Sequence, residues 1–470
     1  MTVNDRHLLI TYTWSINNIG DIGITPGLLS MVNRHYPDWR VHVLTSQPAG
    51  DSAVEYLREY LPKYHPCDLG PNPFSHRLGT PGEVPEGAQA WGAFHDRWGE
   101  HKLRAFAFGC LDAENSQAIV DDLLGRFPAE MLEQIRRENL SEADAFEQAG
   151  FVLYNSGTTF NFGRAGKRDF WTYALLFSMP LLLARHLKIP YGINAQSFDA
   201  LDWPADLMYR RLFGDASFVY CRDSDSLEYL RQRNITNKRM GYRPDSTFFF
   251  GGVDDEWLGE FMQTHQLKKG SFVGLIIRTS RNSPQDPLLG VMNKDREQAN
   301  MDKLVEFIEQ WLSLTKTPIV LCPEVRWEIG AAKDYLYDRL SPESKRLCVW
   351  MSEFWTTEQA YSLFSASRLV ISMEMHSVIM AISVGTPVLH PQFREAGRKA
   401  RMVRDLGLGD WLMDIDEISS ADLLKTAMAV HEDYDGARKL VSQPAQRLRD
   451  LGKSVLDEVS AYLDNGPLSD

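Results

Sequence analysis

The chain has 470 residues, with 50 lysines and arginines against 63 aspartates and glutamates, for a formal charge of −13. That length exceeds one ordinary hydrophobic core and predicts two domains, and 44% hydrophobic with 24% charged residues excludes a disordered chain. The negative balance provides no overall field for nucleic acid, so a nucleic-acid partner is not expected, although a local cluster of arginines remains compatible with it.

Five cysteines (Cys67, Cys110, Cys221, Cys322 and Cys348) are scattered without C-x-x-C spacing, which reads as reduced, buried thiols. The first residues run from Asp5 and Arg6 straight into the β-like Leu8–Tyr12, with no basic region leading into a long apolar one. The longest apolar stretch, Ala174 to Ala184, contains Ser178 and Pro180 and is too short to span a bilayer. A cytoplasmic protein without a transmembrane segment is expected.

Short β-like runs alternate with amphipathic helical patterns, the signature of parallel α/β layers. In the first half the strands are predicted at Leu8–Thr13, Val41–Thr45, Phe151–Tyr154, Tyr191–Ala195 and Ser217–Cys221. Helices are predicted between them at Ile24–Arg34, Ala118–Glu138, Phe170–Leu187 and Ser224–Arg233. The stretch near 68–115 is rich in Gly, Pro and aromatics and reads as an insertion or lid loop. In the second half the strands are predicted at Phe272–Ile277, Ile319–Cys322, Leu347–Trp350, Leu369–Ser372 and Val388–Leu389. Helices there fall at Met301–Leu314, Thr357–Phe364, Val378–Val384 and Ala396–Leu406. Two such series predict two Rossmann-like domains, 1–260 and 261–470, with the boundary near 250–270. A last helix at about 434–463 is long enough to pack back on the N-terminal domain.

Five segments carry chemistry. Asn17-Asn18-Ile-Gly20-Asp21-Ile-Gly23 follows the first strand and opens a helix. Its glycines permit close backbone approach to a ligand, and Asp21 reads either as a ligand contact or as a helix cap. Tyr154-Asn-Ser156-Gly157-Thr-Thr159, with Gln196 and Ser197, ends other strands of the same sheet with small polar residues. Arg222 closes a strand in Val219-Tyr-Cys-Arg222-Asp223 and reads either as an anion ligand or as an ion pair with Asp223 or Asp225. Arg243 follows in the next turn, and Arg278 ends a strand of the second domain, as Arg222 does in the first. In Ser372-Met-Glu374-Met-His376-Ser377, His376 stands in the first turn of a helix that Gly385 stops. A histidine past a strand's carboxyl end, beside N–H groups that favour anions, can move a proton next to a bound phosphate or carboxylate. The plainer reading is a local contact.

Taken together, these segments resemble the polysaccharide pyruvyl transferase family. The matching pieces are Asn18 to Asp21, Arg222 to Leu230, Pro244-Asp245 and Ser372 to Leu389. The resemblance implies two Rossmann-like domains in a GT-B-type arrangement with an interdomain cleft. It also implies transfer of pyruvate from phosphoenolpyruvate, an anionic co-substrate, onto two hydroxyls of a sugar in a glycan or glycolipid precursor. That reaction belongs to exopolysaccharide biosynthesis and requires neither metal nor cofactor. His376 matches the family's histidine and takes the role of general acid. Arg222 and Arg278 match substrate-binding arginines, with Ser377, Asn18, Gly20, Asp21, Ser156, Gly157 and Gln196 lining the same ligand.

One position departs from the pattern, because the family usually reads Ser-x-Arg-Leu-His-Ser and Glu374 replaces the arginine. Reversing a charge that faces an anion is worth several kcal/mol at an effective dielectric of about 20. Arg243, Arg278 or Arg281 would then have to hold the anion, or Glu374 pairs with a neighbouring arginine. A carboxylate here also suits sugar hydroxyls, so a GT-B glycosyltransferase using a nucleotide sugar is the alternative, and a non-catalytic sugar-binding relative is another. The sequence leaves the oligomeric state open, a homo-oligomer included.

Overall fold

The computed structural model describes residues 7–78, 84–138, 140–160, 170–279, 294–393 and 396–465. Arg281 lies outside the described residues. The chain forms two compact units: residues 1–15, 24–246 and 450–470 make the first, and residues 16–23 and 247–449 the second.

The first unit is built on seven strands: β1 (His7–Thr13), β2 (Arg40–Thr45), β3 (Cys67–Gly70), β4 (Phe151–Tyr154), β5 (Tyr191–Gln196), β6 (Phe218–Cys221) and β7 (Met240–Tyr242). Their order is β3-β2-β1-β4-β5-β6-β7, and every pairing is parallel. β1 and β4 are buried along their whole length. Strands buried on both faces need continuous apolar runs, as the sequence has here.

The second unit carries six strands: β8 (Val273–Ile276), β9 (Ile319–Leu321), β10 (Cys348–Trp350), β11 (Leu369–Ser372), β12 (Val388–Gln392) and β13 (Leu412–Asp414). Their order is β10-β9-β8-β11-β12-β13, again wholly parallel. Counted within the unit this is 3-2-1-4-5-6, the Rossmann order, in which the strand order reverses between the first and fourth strands. That switch point lies between β8 and β11, whose register aligns Ile276 with Ser372. The residues just beyond those two are Arg278 and the segment that holds Glu374 and His376.

Several sequence expectations are corrected. The stretch near 68–115 contains edge strand β3 and helices Gln89–Trp98 and Glu100–Ala107. Its aromatics are core residues, with Trp91, Phe94 and Phe106 fully buried. The helix expected over Ala118–Glu138 is two helices, Ala113–Leu124 and Arg126–Glu138, broken at Gly125. The last long helix is also two, Tyr434–Ser442 and Ala445–Asn465, because Pro444 lacks the N–H that a continuous helix needs. Only Arg401–Asp405 of the expected 396–406 helix is α-helical. Three short strands that hold few residues and little periodicity, β3, β7 and β13, were not legible. Residues 450–465 complete the first unit: Tyr36 donates to Asp457 at 2.5 Å, Tyr220 donates to Glu458, and the Tyr462 ring lies 5.4 Å from that of Phe151.

Candidate active site

In the second unit, His376 is the second residue of helix Met375–Ser383, which starts directly after β11. The helix begins there because Ser372 turns the chain: its hydroxyl accepts from the Glu374 N–H at 3.0 Å and donates to the Glu374 carbonyl at 2.8 Å. Gly385, at φ +75°, ends it in the left-handed conformation that favours glycine.

The anion-seeking start of this helix is already filled from within the chain. Glu324, three residues past Leu321 at the end of β9, accepts from the Ser377 N–H at 2.7 Å and from its hydroxyl at 2.6 Å. Its other oxygen lies 3.5 Å from His376 Nδ1. Burial alone would push the Glu324 carboxyl up, but the hydrogen bond and charge of His376, with the Ser377 donors, hold it below the usual range. Glu324 therefore stands ionised against the imidazole, the arrangement that fixes a ring's orientation and supports its protonated form.

The Asn-x-Gly-Asp segment reaches the same place. Residues 16–23 belong to this unit, where Asn18 forms an antiparallel bridge with Val325 and the Ile19 N–H donates to the Glu324 carbonyl at 3.0 Å. Asn18, not Asp21, caps the helix: its side-chain oxygen accepts from the N–H groups of Gly20 and Asp21 at 2.8 and 3.1 Å. The Asp21 carboxylate lies 3.9 Å from His376 Nδ1. Gly20 is present because of close approach: a Cβ there would lie 2.1 Å from the Cβ of His376.

Arg278 forms an ion pair with Glu374, and both are largely buried. The glutamate in the unusual position is therefore matched by the strand-end arginine expected to bind an anion. Glu328 lies within reach of this charge. Burial first, and then the Glu374 charge, push its carboxyl well above the usual range, against the opposing pull of Arg278. Burial and that charge thus favour its protonated form. Glu324, Glu328 and His390 (treated below) were not singled out from sequence. For Glu324 a signal existed, an acid immediately past a predicted strand.

The first unit gathers the other candidates at the carboxyl ends of β4 to β7. Arg222 is 1% exposed and pairs with Asp245 at 2.5 Å, not with Asp223 or Asp225. Its Nε donates to Ser197 at 2.8 Å, and a further N–H donates to Thr158. Asp223 instead caps the helix Ser224–Gln232. Gln196 accepts from Thr159 and donates to the Asn155 carbonyl. Ser156 bonds to Ser246 at 2.9 Å, and Gly157 pairs with Gln196 across an isolated bridge. Arg243 lies over the Tyr220 ring, 4.0 Å from its centroid, and 3.5 Å from Glu458.

A family model described as polysaccharide pyruvyl transferase matches residues 18–390. The chain belongs to that family. It is accordingly a transferase. The match runs from Asn18 to His390 and so includes both strand-end arginines, Glu324 and His376. A search of curated proteins gave no sequence match.

Among solved structures, the chain is similar to a co-structure of S. aureus MnaA with UDP, at 10% identity and a TM-score of 0.55, covering 97% of this chain and 96% of that one. It is similar to a putative UDP-N-acetylglucosamine 2-epimerase from Listeria monocytogenes, at 11% identity and 0.54, covering 100% and 99%. A UDP-glucosyltransferase from Polygonum tinctorium is also similar, at 12% and 0.53, covering 98% and 99%. These likenesses give this family member a GT-B-type fold. Among the described residues no helix is long and apolar enough to cross a membrane.

Proposed function

We propose that this pyruvyl transferase family member moves pyruvate from phosphoenolpyruvate onto two hydroxyls of a sugar in a glycan or glycolipid precursor. The observation that carries the reading is His376, set in the first turn after β11 between the Glu324 and Asp21 carboxylates. An enol ether reacts once its methylene carbon is protonated, and an imidazolium supported by a carboxylate is a suitable acid. His376 gives its proton to that carbon, and the cation at the neighbouring carbon is taken by the first sugar hydroxyl. Phosphate then leaves, and the second hydroxyl closes the ketal. The two hydroxyls release two protons: one restores His376 and the other departs with phosphate. Asp21, the more exposed of the two carboxylates, is the base that collects a hydroxyl proton. No step needs a metal or a cofactor.

The donor's anionic groups must exchange with Glu374 on Arg278. Phosphate release from phosphoenolpyruvate in the presence of mixed glycan precursors tests the reading. It should be abolished in His376→Ala and reduced at least a hundredfold in Glu324→Gln. Unchanged release in both variants would discard it.

The Arg278–Glu374 pair favours a second reading, transfer from a nucleotide sugar, in which Glu374 accepts sugar hydroxyls. Thermal stabilisation by UDP- or GDP-sugars with none from millimolar phosphoenolpyruvate would select it.

A further inference from the structure

Buried polar atoms in folded proteins nearly always have a hydrogen-bond partner, and one without needs a reason such as an absent ligand. Two such atoms stand together on β12. His390 Nε2 and Gln392 Oε1 are buried, and neither has a hydrogen-bond partner among the described residues. The two residues are 1% and 7% exposed, and their two-residue spacing puts both on one face of the strand.

The chemistry of the pair follows from what else they touch. His390 Nδ1 lies 2.6 Å from the Ser372 carbonyl oxygen, which can only accept, so Nδ1 carries the proton. In the neutral ring Nε2 then presents a lone pair. Burial keeps the ring neutral, pushing its pKa down to about 4 against the opposing Ser372 hydrogen bond. The Glu324 charge also acts on this imidazole, so the face lies within the field of the carboxylate that holds His376. Gln392 Oε1 is likewise an acceptor. A phosphate or carboxylate brings only acceptors and cannot satisfy either atom. A sugar brings hydroxyl donors.

We propose that His390 Nε2 and Gln392 Oε1 form the subsite that accepts hydrogen bonds from hydroxyls of the acceptor sugar. The assignment rests on the transfer-to-sugar reading above and adds which strand holds the sugar. It also divides the two histidines: His376 beside carboxylates gives a proton, and His390 on β12 receives a hydroxyl.

The test is isothermal titration of the full-length protein with methyl glycosides of common hexoses and N-acetylhexosamines, and separately with phosphoenolpyruvate. His390→Asn keeps an amide donor for the Ser372 carbonyl and deletes Nε2, and Gln392→Met deletes the oxygen at nearly constant volume. Each should weaken glycoside binding about tenfold, the usual effect of one lost hydrogen bond, with phosphoenolpyruvate affinity unchanged. Equal glycoside affinity in native and variant proteins would mean that the atoms hold only water and would overturn the subsite. So would the absence of glycoside binding to the native protein. Weakened glycoside binding in a protein that ignores phosphoenolpyruvate would support the subsite while discarding the donor.

Discussion

Arg278, Glu374 and Glu328 make a buried arrangement whose energetics can be separated by substitution. Removing one member of a buried ion pair ordinarily costs about 3–5 kcal/mol, because the other charge is left uncompensated. Here burial and the Glu374 charge raise the Glu328 carboxyl well above its usual range and favour its protonated form. In Glu374→Gln that repulsion disappears while the pull of Arg278 remains, so Glu328 ionises and supplies the missing charge. The cost should fall to about 1–2 kcal/mol, part of the ordinary penalty being recovered. Glu328→Gln replaces a neutral acid by a neutral amide. A carboxyl whose folded pKa is raised loses stability as pH rises above its unfolded value, so at pH 7.5 this change should be neutral or slightly stabilising. With both residues amidated, Arg278 loses both of these carboxylates, and the cost should rise towards ~3–5 kcal/mol. The double-mutant cycle therefore predicts a coupling of about 2 kcal/mol. Hydrogen exchange read on peptides covering β8 and β11 measures the local stability without assuming that the two units unfold together. Strictly additive effects would refute the reserve role of Glu328.

Three further outcomes are expected. Gly20→Ala drives a methyl into the Cβ of His376, and overpacking of this kind costs about 1–3 kcal/mol; calorimetry should show it together with loss of turnover, and an unshifted transition would contradict the close approach. The His390 ring has its folded pKa lowered to about 4 from 6.5, so its contribution is complete above pH 6.5 and is lost as pH falls towards 4. The loss amounts to roughly 3 kcal/mol, and urea midpoints from pH 4 to 7 should flatten in His390→Phe if that holds. Arg222→Met takes the buried Asp245 away from its arginine and should destabilise the first unit by up to about 3–5 kcal/mol. Adding Asp245→Leu should return much of that loss, and a double variant as weak as the single one would argue against the pairing.

The alternating pattern of the chain made most of the fold legible, because strands buried on both faces must be short apolar runs and their helices must be amphipathic. Edge strands β3, β7 and β13 escaped for the converse reason: three or four half-exposed residues carry no run and no period. The site was legible as positions more than as partners. Arg278, Glu374 and His376 were singled out because they follow strand ends, which is local information. That Glu374 would pair with Arg278, or that Glu324 would occupy the helix start facing His376, depends on which strands become neighbours across 50 to 100 residues. The cap showed the same limit, since Asn18 and Asp21 are equally good capping residues in sequence. In the structure Asn18 takes the role, bridged to Val325, and the Asp21 carboxylate lies near the histidine.

The division of the chain has a consequence for its synthesis. The first unit requires residues 450–465, whose Asp457 and Glu458 satisfy Tyr36 and Tyr220, while the second requires residues 16–23 from near the start. A ribosome therefore releases the first unit's final helix only after every strand of the second has been made. The earliest β-strands must wait, partly formed, for the last helix to emerge. A fragment ending near residue 246 should behave as an unfinished body that chaperones retain, and a lesion in the final twenty residues should be felt first in the half of the protein that was translated earliest.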